Sequence, residues 1–132
     1  MNYNDKNFTD MLSTSSNGMM RIIQETVPGN QISLAHIIGG PQPIIYQKLG
    51  LNPDIDYEGA AIGIMTLIPY ESSVIAADIA TKAADIYLGF VDRFSGTLII
   101  TGELAEVETA VNEIVDYFSE ELGFAACKIT KR

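Results

Sequence analysis

Residues 60–102 read AAIGIMTLIPYESSVIAADIATKAADIYLGFVDRFSGTLIITG, and the succession of patterns within them decides the fold. Ala60–Ile68 is an apolar, isoleucine-rich run of strand length, and Pro69, which has no N–H to give to a ladder, suits the opening of a helix. From Ser72 to Ala84 the spacing turns helical. Ile75 and Ile79 lie one turn apart, and Asp78 stands four residues ahead of Lys82, the favourable order for an ion pair along a helix. Ile86–Val91 and Thr97–Thr101 are strand-like again, rich in β-branched and aromatic residues, and Asp92, Arg93, Phe94, Ser95 and Gly96 separate them as a turn. The unit is therefore β-α-β-turn-β. Ala76, Ala77, Ala80, Ala83 and Ala84 leave its helix little bulk, so a sheet or a second chain can approach the axis closely. Plain helix propensity in an ordinary α/β core explains the same alanines.

Downstream, Glu103–Leu122 carries Val107, Ala110, Val111, Ile114 and Phe118 at the spacing of one helix face. Glu103, Glu106 and Glu108 suit the positive end of that helix, and Gly123 supplies a left-handed stop. Ala125–Thr130 reads as a short final strand containing Cys127. Upstream, Ile32–Ile38 alternates, with Ile32, Leu34, His36 and Ile38 expected on one face and Ser33, Ala35 and Ile37 on the other. Gly39-Gly40-Pro41 ends that strand, and Pro43 opens a helix that Gly50 can stop after Leu49. Met20–Val27 reads as a strand with two mixed faces, in need of partners, before the turn signal Pro28-Gly29. Residues 1–18 are polar and are expected to be a disordered tail, with Phe8, Met11 and Leu12 as its few apolar side chains.

The chain has 132 residues, 47% of them apolar, only 8% aromatic and none tryptophan, which is one domain with an aliphatic, alanine-packed core. Its formal charge of −9, from 17 acids against 8 basic residues, excludes a phosphate-binding surface for nucleic acid or anionic membrane, which needs clustered Lys and Arg. No apolar run reaches the length of a membrane span, and the N-terminus lacks the charged-then-apolar pattern of a secretory signal, so a cytosolic location is expected. The lone Cys127 has no internal partner for a disulfide.

The stretch IGIMTLIPYESSVIAADIATKAADIYLGFVDRFSGTLIITGELAEVETA, residues 62–110, resembles the body of a bacterial microcompartment shell protein: a strand, an alanine-rich helix ending in Lys-Ala-Ala, and a hairpin with a Ser-Gly turn. The preceding RIIQETVPGNQISLAHIIGGP, residues 21–41, is similar to the circularly permuted branch of that family, the small shell proteins of ethanolamine and propanediol utilisation, because a segment like Leu34–Pro41 lies near the C-terminus of unpermuted relatives. The resemblance implies an α/β (α+β, ferredoxin-like) BMC domain over residues 19–132, a mainly antiparallel sheet flanked by helices. It also implies a homohexameric tile in the shell of a bacterial microcompartment, in the cytoplasm, around a pathway degrading ethanolamine, propanediol, choline or a similar small substrate. Its partners would be itself, other shell proteins and encapsulated enzymes.

Residue by residue, the resemblance places Asp92, Arg93, Phe94, Ser95 and Gly96 beside the central pore and Lys82 along the hexamer edge. It places Arg21, Ile22, Ile23, Gln24, Glu25, Thr26 and Val27 in a strand that joins its symmetry mates in a β-barrel capping the pore. Because hexamers of the family are flat or bent, Gly59 is a candidate curvature hinge. Gly39-Gly40-Pro41 departs from unpermuted relatives, which often carry a basic residue before the proline.

The residues offer little to a catalyst. His36 is the sole histidine and has no acid or cysteine at ligand spacing, so a structural role at a sheet face or subunit contact is expected. Asp54, Asp56 and Glu58 lack the glycine and distal glutamate of a calcium loop. No nucleophile–base pair, metal quartet, phosphate loop or cofactor fingerprint is present, and neither an enzyme nor a bound cofactor is expected. Two other classes stay open: an oligomeric α/β regulatory domain that binds a metabolite between subunits, and an enzyme using His36 and Cys127 in an assembled site.

Overall fold

The computed structural model describes residues 29–51 and 59–132. The tail over 1–18, the strand expected over Met20–Val27 and the acidic loop with Asp54, Asp56 and Glu58 lie outside the described residues. The elements run β1 (Gln31–Gly39), α1 (Pro43–Lys48), β2 (Ala61–Ile68), α2 (Ser72–Ala83), β3 (Tyr87–Asp92), β4 (Thr97–Gly102), α3 (Leu104–Glu120), β5 (Ala125–Ala126) and β6 (Thr130–Lys131). They form one sheet in the order β3-β4-β2-β1, with β5 and β6 both beside β1. The four longer strands pair antiparallel, and the two short ones run parallel to β1.

The sheet's two faces are covered unequally. On one side Ile32, Ala35, Ile37, Met65, Leu67, Leu98 and Ile100 meet α2 and α3 in the main core. The stripe read from the sequence of α3, Val107, Ala110, Val111, Ile114 and Phe118, is wholly buried there. Gly63 lets α3 press against β2, since a Cβ at that position would lie 3.0 Å from both Ile100 Cγ1 and Val107 Cγ1. On α2 the alanines form the packed face, with Ala76, Ala77 and Ala80 buried while Ile75 is exposed. On the sheet's other side the described residues form a smaller cluster, in which Tyr46 of the short α1 and Leu51 cover Ile62 and Ile99, with Ile38, Ala60 and Ile64 partly buried against them.

Two strand expectations need correction. The alternation over Ile32–Ile38 breaks at a bulge between Ile32 and Leu34. The extra residue rotates Ile32 into the main core with Ala35 and Ile37, leaving Leu34, His36 and Ile38 on the opposite face. The single strand expected over Ala125–Thr130 is two short pieces instead. Both keep one register, Ile32 opposite Ala126 and His36 opposite Thr130, and the gap between them faces the bulge, which takes β1 locally out of the ladder.

The acids at the start of α3 also have mechanical roles. Glu106 Oε1 accepts the Asp85 backbone N–H at 2.8 Å, and Glu108 pairs with Lys131 of β6. Gly123 takes φ 70°, the left-handed stop expected after the helix.

Candidate functional site

The β3–β4 turn brings together Asp92, Arg93, Phe94, Ser95 and Gly96. Asp92 builds it: Oδ1 accepts the Phe94 backbone N–H at 2.8 Å, Oδ2 accepts the Ser95 hydroxyl at 2.9 Å, and the Asp92 carbonyl accepts the Gly96 N–H at 2.9 Å. Ser73, buried in the first turn of α2, donates to the same carbonyl at 3.0 Å, and the Gly96 carbonyl accepts the Leu67 N–H at 2.9 Å. The turn is thus bolted to both β2 and α2. Its tip is a stack, with the Arg93 guanidinium carbon 4.7 Å from the centroid of the Phe94 ring. Phe94 is 74% exposed.

The hydrogen bond from the Phe94 backbone, and then that from the Ser95 hydroxyl, hold the Asp92 carboxyl below its ordinary value. A carboxylate lowered in the folded state contributes stability in full above its unfolded value and loses it as pH falls through its folded value. Asp92→Asn should therefore flatten the acid limb of the stability profile. Denaturant titrations stepped from roughly pH 5 down to roughly pH 2 test this, and wild-type and variant curves that stay parallel would refute it.

Beside the turn, β3 ends the sheet among the described residues and is apolar on both faces. Tyr87, Leu88, Phe90 and Val91 are all exposed. An end strand that shows large apolar side chains in both directions has the character of a contact surface. Sequence reasoning singled out neither this edge nor the Arg93–Phe94 stack. The signal was the unalternating run Tyr87–Val91, which reads like a buried strand wherever it sits.

The other expected site residues lie apart from the turn. Lys82, in the last turn of α2, is exposed and donates to Asp78 Oδ2 at 2.9 Å, the ion pair anticipated from their spacing. That hydrogen bond, with the carboxylate's charge, raises the lysine's pKa. Gly59 has φ 76°, and a Cβ there would touch nothing within 4 Å. Arg21, Ile22, Ile23, Gln24, Glu25, Thr26 and Val27 lie outside the described residues.

His36 and Cys127 do not form a joint site within the chain. Cys127 packs against the main core, whereas His36 is on the other face, its Nδ1 bonded to the Thr130 hydroxyl across β1 and β6. Among the described residues no group of three His, Cys, Asp or Glu side chains could hold a metal ion, and no helix is long and apolar enough to cross a membrane. A cleft of about 470 Å3 opens where β1 leaves the sheet, between Ile38–Gln42, Ile45 and Arg132.

The BMC domain family matches residues 61–129, just over half of the chain. The chain is 50% identical to bacterial microcompartment shell protein CutR of Streptococcus intermedius, over 84% of this chain and 91% of that protein. It is 48% identical to bacterial microcompartment shell protein EutS of Escherichia coli, over 84% of this chain and 96% of that one. Among solved structures it resembles a flat hexamer of CutR with a TM-score of 0.73 and 47% identity, covering 85% of this chain and 99% of the other. The matched segment starts at β2, so β1 precedes it in the chain while lying between β2 and the C-terminal strands in space, as the permuted order implies. The chain belongs to the BMC-domain family of bacterial microcompartment shell proteins.

Proposed function

We propose that this chain is a non-catalytic tile, a homohexamer in the shell of a bacterial microcompartment in the cytoplasm, enclosing a pathway for ethanolamine, propanediol, choline or a similar small substrate. The observation that carries this is the β3 edge, where Tyr87, Leu88, Phe90 and Val91 present apolar surface on both faces at an end of the sheet. A neighbouring copy would cover it, and head-to-tail contacts between unlike surfaces make a ring where the rotation between copies closes. The likeness to a structure described as a flat CutR hexamer supports six as the number. In this reading the Asp92–Gly96 turns meet around the central opening, Lys82 lies at the rim where tiles adjoin, and the Arg21–Val27 strand stands over the opening. Gly59 gives the backbone freedom on which flat or bent hexamers would depend.

Native mass spectrometry of the purified protein, followed by electron microscopy of the same sample, tests it. The expected result is six chains of 14.4 kDa each, with sheets or tubes at higher concentration. Lys82→Ala should keep the six-chain mass and lose the tiling, since the substitution removes an exposed side chain whose partner within the chain is Asp78. A stable monomer or trimer that never tiles would replace this reading with the regulatory one. Undiminished tiling by the variant would remove Lys82 from the rim.

A further inference from the structure

The cleft of about 470 Å3 at the end of β1 has walls that the backbone fixes. On one side Arg132, just past β6, donates its N–H to the Ile37 carbonyl at 2.9 Å and accepts the Gly39 N–H on its own carbonyl at 3.1 Å, so its main chain is tied to β1 twice. On the other side Gly40 turns the chain at φ 62°, and α1 begins at Pro43 with the Ile45 N–H on the Gln42 carbonyl at 2.9 Å. A cleft framed by backbone bonds exists before a ligand arrives, which lowers the ordering cost of binding.

The side chains facing it divide into two kinds. Ile38, Pro41 and Ile45 are hydrocarbon, and Ile45 is 37% exposed although it belongs to a helix. Gln42 and Arg132 are polar, and neither is used up by the fold. Gln42 gives its helix no side-chain cap, and the ion pairs among the described residues join Lys82 to Asp78 and Lys131 to Glu108, not Arg132. A permanently charged guanidinium and an amide beside an apolar wall fit a ligand with one anionic end and one hydrocarbon end. A polyanion fits worse, because one cation matches one charge and the chain carries a net −9. There is room on the glycine side as well, since a Cβ at Gly40 would meet nothing within 4 Å.

We infer that this cleft is a binding site for aliphatic monocarboxylates, the carboxylate met by Arg132 and the Gln42 amide and the alkyl chain lying along Ile38, Pro41 and Ile45. The site stands on the single chain and does not rest on the tile reading.

Calorimetric titration of the full chain with sodium butyrate, hexanoate and octanoate at matched ionic strength, all below micelle-forming concentrations, tests the inference, with hexanol as the uncharged counterpart. Saturable binding is expected to tighten about tenfold for each added pair of methylenes. Hexanol should bind at least tenfold more weakly than hexanoate. Arg132→Gln should weaken hexanoate tenfold or more and leave hexanol unchanged, whereas Ile45→Ser should flatten the chain-length series. Both positions are exposed, so the fold should survive both changes, and matching thermal unfolding curves check that. Lys128→Gln, which removes an exposed cation outside the cleft, should bind like wild type. No saturable binding of octanoate, equal affinity for hexanoate and hexanol, or equal losses in the Arg132 and Lys128 variants overturns the inference. So does an unchanged chain-length series in Ile45→Ser.

Discussion

Gly96→Ala is expected to cost the domain about 3 kcal/mol or more and to release the β3–β4 turn. Gly96 sits at φ 75°, a left-handed conformation that costs a residue with a side chain roughly 1–2 kcal/mol. The larger difficulty is steric. A Cβ at Gly96 would lie 2.2 Å from the Leu67 carbonyl oxygen and 3.0 Å from Tyr70 Cδ1. The first of these is backbone inside β2, so no rotamer change relieves it. The turn must withdraw, and the Leu67 N–H to Gly96 carbonyl bond, worth about 1 kcal/mol, is then lost. Gly59→Ala is the matched control, because φ is 76° there and a Cβ would meet nothing within 4 Å. Urea unfolding at fixed protein concentration should show the Gly96 variant losing clearly more stability than the Gly59 variant. Equal losses would mean that the turn accommodates the methyl by a small hinge and is not held rigidly against β2.

That comparison also shows what the sequence could and could not disclose. Gly59 and Gly96 look alike in the chain, each beside a strand-like run, and only the fold puts β2 backbone against one and open space against the other. Local patterns were legible where a single element decides the matter. The α3 stripe, the Asp78–Lys82 pair, the β-α-β-turn-β order and the stop at Gly123 all depend on residues within a few turns of one another. Readings that depend on a partner strand were not. The bulge at Ser33 sends Ile32 to the core and splits the C-terminal strand, yet nothing in ISLAHII breaks the alternation. Likewise, Tyr87–Val91 has the composition of a buried strand, and only its place at the end of the sheet turns it into exposed apolar surface. For the turn, the sequence marked Asp92–Gly96 as the segment between two strands, and the β3–β4 turn falls there. The hydrogen bonds that hold the Asp92 carboxylate within the turn and the placement of Arg93 over Phe94 depend on atoms whose placement a sequence pattern does not convey.

Phe118→Ala should be at least as damaging as the glycine substitution, for a different reason. Among the described residues Phe118 is the largest fully buried side chain, at the end of the apolar stripe of α3. Its ring meets Phe124 edge-on, with centroids 4.7 Å apart and planes at 86°, and its carbonyl accepts the Phe124 N–H at 2.9 Å across the Gly123 turn. Truncating a buried phenylalanine to alanine typically costs about 3–5 kcal/mol, from lost transfer free energy and the cavity left behind. Loss of the edge-to-face pair adds to the upper part of that range. The damage should also have a direction. Phe124 immediately precedes β5, and the Ala125 and Cys127 N–H groups bond the carbonyls of Asn30 and Ile32, so a loosened Phe124 releases the C-terminal strand from β1 before it disturbs the β3–β4 turn on the far side of the sheet. Cys127, half-buried against the core, reports on that release. In Phe118→Ala its thiol should react with a disulfide reagent at least tenfold faster under native conditions, while Phe118→Leu, which refills most of the space, should lie nearer wild type. Unfolding in urea gives the global loss on the same samples. A large global loss with unchanged Cys127 reactivity would mean that the C-terminal strand is held by its backbone bonds to β1 alone. A loss below about 1 kcal/mol would mean that α3 and Phe124 close over the cavity, making the aromatic pair dispensable to the core.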